Sequence, residues 1–285
     1  MKIKMKEIIG VVTLVVCVIS CSFLMLTGCG KNHAGTYTIT VVSEGGKVFE
    51  EVGVYVYTDE SLNKTEHVAK TDKEGKISFE SENAIGCVVT LKDVPKGYQL
   101  DTYKIKEKDT TIVLKTELLD ETQLDGVTFK LGDVFADFSV TATDGNAYMI
   151  SELLQEKEAV VLNFWFLNCD PCRMEFPFLE EAYQEYKDKI EVLAINPVDG
   201  TDETVEAYRK KLGLSFPMAA CDEEWNSFMS ITAYPTTVVI DRYGTIALIH
   251  KGTVTEAETF TTIFDYFTAE DYKQTTIRNV EDILE

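Results

Sequence analysis

Two cysteines with two residues between them, Cys169 and Cys172, lie in the stretch Asn163-Phe-Trp-Phe-Leu-Asn-Cys169-Asp-Pro-Cys172-Arg-Met-Glu175-Phe-Pro177. Such a pair can exchange disulfides, form a structural bridge or hold half of a metal site, and the flanking pattern separates these. Residues 159–167 are almost continuously apolar, as in a strand covered on both faces. Beyond Cys172, the residues Phe176, Leu179, Ala182 and Tyr183 recur at helical spacing. A pair placed where a buried strand meets a helix is in redox context. At that point free backbone N–H groups and the positive end of the helix dipole stabilise a thiolate on Cys169, and the thiolate is the reactive species. Pro171 suits a first helical turn, where no N–H is needed. Cys172, one turn further in, is close enough to attack a mixed disulfide on Cys169. A zinc site would need a second ligand pair. Beyond the leader only Cys29, Cys87, Cys221 and three scattered histidines remain, so no metal and no cofactor is expected.

Two acids flank the chemistry. Asp170 opposes a thiolate electrostatically and offsets part of the helix-terminus effect on Cys169, which makes the pair more reducing. Glu175, three residues beyond Cys172, shares its helix face with Phe176 and Leu179. Packing of that face against a sheet would desolvate the carboxyl and raise its pKa, so that it could take the proton of Cys172 near neutral pH.

The 285-residue chain is long enough for about two domains with cores of their own. A net charge of −21 argues against nucleic acid or anionic lipid as a partner of the folded part. Lys2, Lys4 and Lys6 precede an uncharged, largely apolar run over residues 8–26, the form of a targeting segment. It ends in Leu26-Thr27-Gly28-Cys29, which resembles a bacterial lipoprotein signal with Cys29 as the acylated mature N-terminus. An uncleaved transmembrane anchor is the alternative. Either one places the rest of the chain outside the cytoplasm, tethered to the cell membrane. Cleavage before Cys29 removes three lysines and one glutamate, taking the charge from −21 to −23. Thiols in that compartment tend to be oxidised. Cys87 alternates with Val89 and Leu91 and reads as a buried, inert thiol; Cys221 reads as a spectator.

The elements that must position the pair follow from the rest of the pattern. Residues 1–28 are the leader and 29–35 a linker. Residues 36–117 carry alternating segments at 36–42, 52–58, 76–80, 87–92, 103–106 and 110–115, separated by turn signals such as Asp72-Lys-Glu-Gly75 and Pro95-Lys-Gly97. This is an all-β sandwich pattern. His67 falls in a polar stretch and reads as a surface loop residue. Residues 118–125 form a second linker. Over 126–269 a hairpin signal at Asp144-Gly145-Asn146 is followed by a short helix capped by Ser151. Strands at 159–167, 191–196, 216–220, 236–241 and 245–251 then alternate with helices at the cysteine motif, 202–212, 223–230 and 256–267. Pro235 directly precedes a central strand, where a cis bond in a tight turn is the physical solution. Residues 270–285 read as a polar tail with a short helix from Val280. The fold class is thus multidomain: an all-β sandwich followed by an α/β domain.

Two resemblances sharpen this. Thr71-Asp-Lys-Glu-Gly75-Lys-Ile-Ser-Phe79 and Leu91-Lys-Asp-Val-Pro95-Lys-Gly-Tyr98 resemble the Cna protein B-type or transthyretin-like sandwiches of bacterial surface proteins, which implies a spacer or docking module. Residues 126–268 resemble the ResA/TlpA-type thiol–disulfide oxidoreductases of the thioredoxin superfamily. That resemblance rests on Phe138, Asp144-Gly145, Asn163-Phe-Trp165, Cys169 to Cys172, Glu175-Phe-Pro177, Phe216-Pro217 and Tyr234-Pro235-Thr236-Thr237. It implies Cys169 as nucleophile, Cys172 as resolving thiol, Glu175 as active-site carboxylate and Pro235 as the cis proline beside the disulfide. It also implies a substrate groove of Asn168, Asp170, Pro171, Tyr234 and Thr236, with Asn168 standing where the family usually has Trp. Residues 191–222 match the insertion typical of the group. The implied partners are disulfide-containing exported proteins, apocytochrome c among them, and a membrane electron donor of the CcdA/DsbD type. Two other readings stay open. A thiol peroxidase would need a Pro-x-x-x-Thr-x-x-Cys arrangement, and Phe164-Trp-Phe-Leu stands there instead. A surface adhesion protein would carry its function in the sandwich.

Overall fold

Strict alternation builds the first half of the chain. In β1 (Gly35–Ser43), Tyr37, Ile39 and Val41 are buried while the intervening threonines face outward. The strands β2 (Gly53–Tyr57), β3 (Thr65–Lys70), β4 (Lys76–Ser81), β5 (Val88–Lys92), β6 (Tyr103–Lys104) and β7 (Asp109–Leu114) follow. They form two sheets, ordered β4-β1-β7 and β3-β2-β5-β6. Tyr37, Ile39, Val54, Val56, Phe79, Val89, Leu91 and Ile112 belong to one shared core. The computed structural model describes residues 33–116, 118, 128–221 and 224–284. The leader, Cys29, most of the 29–35 linker and nearly all of the 118–125 linker lie outside the described residues.

Every expected segment of this half has a counterpart shifted by a residue or two, but β3 is an addition. Its sequence, Thr-Glu-His-Val-Ala-Lys, buries no residue fully, because it is an edge strand paired on one side only. His67 is therefore not a loop residue: it lies on β3 with its ring stacked on Phe79 at 4.7 Å. Cys87 is buried as expected, and burial pushes its thiol up.

The second half is organised by β10 (Ala159–Phe164), which is buried along its whole length. Val161 faces one apolar cluster and Leu162 and Phe164 the other, so both faces are covered and the strand reads as continuously hydrophobic. It follows the hairpin of β8 (Ser139–Thr141) and β9 (Ala147–Met149) and the helix α1 (Ile150–Glu156). After it come α2 (Asp170–Tyr186), β11 (Ile190–Asn196), α3 (Asp202–Leu212), β12 (Met218–Ala220), α4 (Glu224–Phe228), β13 (Thr236–Asp241), β14 (Ile246–Lys251), α5 (Ala257–Thr268) and α6 (Glu281–Leu284). The sheet order is β12-β11-β10-β13-β14, with β11 parallel and β13 antiparallel to β10. Helices α2 and α5 cover one face; α1 and Trp225 of α4 cover the other.

Several expectations need correction. Helix α1 begins at Ile150 without a side-chain cap, because the N-cap position is Met149 and Ser151 comes two residues too late; its N–H and hydroxyl both donate to Asp137. Strand β10 stops at Phe164 rather than 167, since the chain turns there and Cys169 N–H donates to Phe166 O. Pro217, lacking an N–H, delays β12 to Met218. Helix α4 ends before Ser230, which has a φ of +49°. The tail is not merely polar: Tyr272, Ile277 and Val280 are buried in the first cluster, and Ile277 N–H donates to Ala247 O along β14.

The two halves meet within a single compact unit, Ala34–Glu285. The Pro95-Lys96-Gly97 turn lies against the β13–β14 turn. Gln274 brackets it, accepting from Lys96 N–H at 2.7 Å and donating to Lys96 O at 3.1 Å. Phe49 stacks on Tyr243 at 6.4 Å, and the Lys47 ammonium donates to Lys157 O at 2.8 Å. Gly97 has a φ of +94°, and a Cβ there would sit 2.3 Å from Tyr243 O. Gly97→Ala should therefore lower unfolding stability by at least ~1–2 kcal/mol, the cost of a left-handed L-residue, with the clash in addition. A urea midpoint equal to wild type would show that this turn does not hold the halves together.

Candidate active site

Strand β10 delivers the chain to the cysteines, and α2 begins on them. Cys169 is the N-cap residue, and its Sγ accepts a hydrogen bond from Cys172 N–H at 3.1 Å. Asp170 and Pro171 occupy the first turn. The cysteines form a disulfide with a Cα–Cα distance of 5.3 Å. Cys169 is 3% exposed and Cys172 not at all, so both residues are buried and the first retains the small contact with solvent. A sulfur that accepts a helix N-terminal N–H is placed to stabilise a thiolate when the disulfide opens. Asp170 is exposed and ion-paired with Arg173, so its charge is partly answered and opposes a thiolate on Cys169 less than the sequence suggests.

Three residues beyond Cys172 on the same helix, Glu175 is fully buried. Its Oε1 accepts from Asn163 Nδ2 at 2.8 Å and its Oε2 from Val254 N–H at 2.8 Å. Asn163 Nδ2 also donates to Thr237 Oγ1 at 3.1 Å. Burial pushes the Glu175 carboxyl up to about 7, and the bonds from Val254 and Asn163 hold it from rising further. The group therefore changes protonation in the neutral range, where thiol exchange runs.

The Tyr234–Pro235 bond is cis, and Gly252 N–H donates to Pro235 O at 3.0 Å, which ties the Val254 loop to this turn. Tyr234 meets Phe166 edge-on at 5.3 Å. Asn168, Asp170 and Pro171 are exposed around the cysteines. Thr236, expected in the groove, is fully buried and donates its hydroxyl to Ala233 O at 2.8 Å; it shapes the turn without lining an open surface. Cys221 follows β12, donates its N–H to Asn196 O and is half-buried against the second cluster. Among the described residues no group of three or more His, Cys, Asp or Glu side chains could hold a metal ion, and no helix is long and apolar enough to cross a membrane.

Sequence reasoning gave no role to Asn163, Thr237 or Val254. Asn163 had a signal: it is the one polar side chain within the apolar strand. Val254 acts through its backbone and had none. Asp199, which accepts from Leu167 N–H at 2.9 Å and from Asn196 Nδ2 at 3.1 Å and so fixes the loop before Cys169, was also missed.

Glu175 carries a consequence for stability. A carboxyl raised from an unfolded value of ~4.3 keeps its proton in the folded state over a range where the unfolded chain has lost it. Its contribution is then most favourable below that unfolded value and falls as pH rises through about 7. With the oxidised proteins, the unfolding free energy of Glu175→Gln relative to wild type should rise by ~3 kcal/mol between pH 5 and pH 8. A difference independent of pH would mean that Glu175 does not titrate in this window.

Residues 131–249 match the AhpC/TSA family. The chain is 34% identical over 129 residues to the thioredoxin-like protein YneN of Bacillus subtilis, covering 45% of this chain and 75% of that protein. It is also 34% identical over 130 residues to the thiol–disulfide oxidoreductase ResA of Halalkalibacterium halodurans, covering 45% of this chain and 72% of that protein. Among solved structures it is similar to StoA from Bacillus subtilis, with 24% identity, a TM-score of 0.39 and coverage of 44% of this chain and 94% of that one. The C-terminal half is a thioredoxin-fold domain, the N-terminal part is sheet-rich, and the chain belongs to the ResA/YneN family of thioredoxin-like thiol–disulfide oxidoreductases.

Proposed function

We propose that this enzyme is an extracytoplasmic reductase of exported proteins, tethered to the cell membrane through lipid on Cys29. The observation that carries the reading is a disulfide capped by a helix N-terminus, with a carboxyl on the same helix that burial pushes up to about 7. In the dithiol form, the Cys169 thiolate attacks a substrate disulfide. A new S–S bond forms to Cys169, and the substrate's first sulfur leaves as a thiolate that takes a proton from water. Cys172 then gives its proton to the Glu175 carboxylate and attacks Cys169 Sγ. The mixed disulfide breaks, the second substrate sulfur leaves as a thiolate, and the enzyme keeps the Cys169–Cys172 disulfide. Two electrons pass to the substrate. A membrane dithiol donor of the CcdA/DsbD type would return them, and apocytochrome c is one substrate class that fits.

Asn168, Asp170, Pro171 and Tyr234 are assigned to the surface a substrate touches, and the buried cis Pro235 to the turn beside the disulfide. In this reading residues 36–117 form a Cna protein B-type sandwich that acts as a spacer, residues 126–269 carry the chemistry, and 118–125 join them. Among the described residues the first half packs around Tyr243, at the sheet end away from the cysteines, which supports a spacer role. The match to the AhpC/TSA family favours a second reading, a thiol peroxidase. Against it, Phe166 and Leu162 stand where the Thr and Pro of the peroxidatic arrangement would precede Cys169.

The full-length Cys172→Ser variant should accumulate mixed disulfides through Cys169, seen on non-reducing gels; trapping through Cys172 in Cys169→Ser would reverse the roles. A reduction potential near ~−270 mV supports a reductase and one near ~−120 mV an oxidant. Peroxide consumption that survives Cys172→Ser, without thiol exchange in wild type, would favour the peroxidase.

A further inference from the structure

The hydrogen-bonding geometry around Glu175 contains a conflict that its protonation must resolve. Val254 N–H is a backbone donor fixed on Oε2 and can never accept, so a proton on that oxygen would find no acceptor in this partner. A proton arriving on the carboxylate therefore belongs on Oε1. There it would face Asn163 Nδ2, itself a donor at 2.8 Å. Two donors cannot share one hydrogen bond.

Asn163 can resolve this because its amide has a donor end and an acceptor end of nearly equal size. The side chain is fully buried on β10. Its Nδ2 serves both Glu175 Oε1 and Thr237 Oγ1, while among the described residues its Oδ1 meets no hydrogen-bond partner. Thr237 stands directly opposite Asn163 on β13. Its hydroxyl accepts in the arrangement observed and can donate when the amide is reversed. After reversal, Oδ1 would accept from the Glu175 acid and from Thr237 together.

We infer that Asn163 is a positioning residue that reverses its amide with the protonation of Glu175, Nδ2 donating to the carboxylate and Oδ1 accepting from the carboxylic acid. This rests on the reading of Glu175 as the proton carrier of the exchange. It assigns to a buried strand residue the task of keeping both forms of the Glu175 carboxyl hydrogen-bonded, with the end of the amide that faces away from Glu175 carrying the missing partner in either orientation. An aspartate at 163 could only accept and a leucine could do neither.

The titratable surroundings are sparse. On α2 itself there are the two motif cysteines, which do not titrate while bridged. Among the described residues β10 and β13 present Asn163 and Thr237, the Val254 loop presents a backbone N–H, and α5, packed on α2, carries Glu258 and Asp265, neither of which is among the groups that shift Glu175. On β14, His250 is paired with Thr237 one strand further away; burial pushes its pKa down and Glu281 opposes this. Any shift that follows His250 is identified with a His250→Gln control.

The test uses the oxidised full chain, with the Glu175 carboxyl carbon and the Asn163 side-chain NH2 followed by NMR from pH 5 to 9. Glu175→Gln and Asn163→Gln variants assign the signals. The expected result is a single midpoint shared by the Glu175 carbon and both Asn163 amide protons. Glu175→Gln should abolish the amide titration. Asn163→Leu, which removes the donor to the charged form, should move the Glu175 midpoint up by about one pH unit. If Asn163→Leu does not fold, the wild-type titration decides alone. Titration of Glu175 with stationary Asn163 amide protons would overturn the reversal while leaving the proton carrier standing. No titration of Glu175 anywhere in the range would overturn the proton-carrier reading, and the reversal with it.

Discussion

The structure turns on one carboxylate placed where carboxylates are costly. Glu175 is fully buried on the helix that starts at the disulfide, whose buried residues Phe176 and Leu179 belong to the larger core. Taking a charged group out of water into such a setting is unfavourable unless it is hydrogen-bonded or holds a proton. Here it has two donors from two different elements, Asn163 on β10 and the backbone of Val254 after β14. The bonds fix the motif helix relative to the central strand and to the loop that lies against cis Pro235. The same arrangement leaves the group undecided between acid and base near neutral pH. Local architecture and proton chemistry therefore rest on the same contacts.

The paired strands β10 and β13 separate the molecule's two tasks. Phe164 pairs with Thr236 at the end where the cysteines and the cis proline lie. Ala159 pairs with Asp241 at the other end, where the turn through Tyr243 receives the N-terminal half. Asp241 stabilises that turn, accepting from Tyr243 N–H, Thr245 N–H and Tyr272 OH; burial pushes its carboxyl up to about 6 despite these donors. The C-terminal tail seals the junction through Tyr272 and Gln274. Strain or substitution at the junction is thus separated from the disulfide by the length of the strand pair, about 17–20 Å for strands of this size.

Much of this could be read from the residue pattern, for reasons that differ from site to site. The cysteine pair was legible because strand, turn and helix signals coincide on it. Glu175 was legible because helical spacing put it on an apolar face. Helix α3 and strand β13 matched their expected spans, since apolar runs and caps agree there, whereas β10 began where expected and ended three residues early; Thr201 caps α3 and Gly213 ends it in the left-handed region. Edge strand β3 was missed because half-exposed residues carry little period-2 contrast. The tail was misread because three buried residues among many polar ones leave no periodic trace. The partners of Glu175 were hidden for another reason: hydrogen bonds between residues 163, 175, 237 and 254 depend on strand register and loop path, which local pattern does not encode.

Whether the buried carboxylate works as argued is decided most directly by the rate at which Cys172 resolves a preformed mixed disulfide on Cys169. It should be followed in single turnover for wild type and Glu175→Gln from pH 6 to 9. General-base assistance supplied by a positioned group is worth ~10²- to 10⁴-fold, and water can partly substitute, so a deficit near ~10²-fold is expected around neutral pH. It should shrink toward pH 9 as Cys172 ionises unaided, while the first attack by Cys169 stays nearly unchanged. Equal resolution rates in the two proteins across that range would contradict the account.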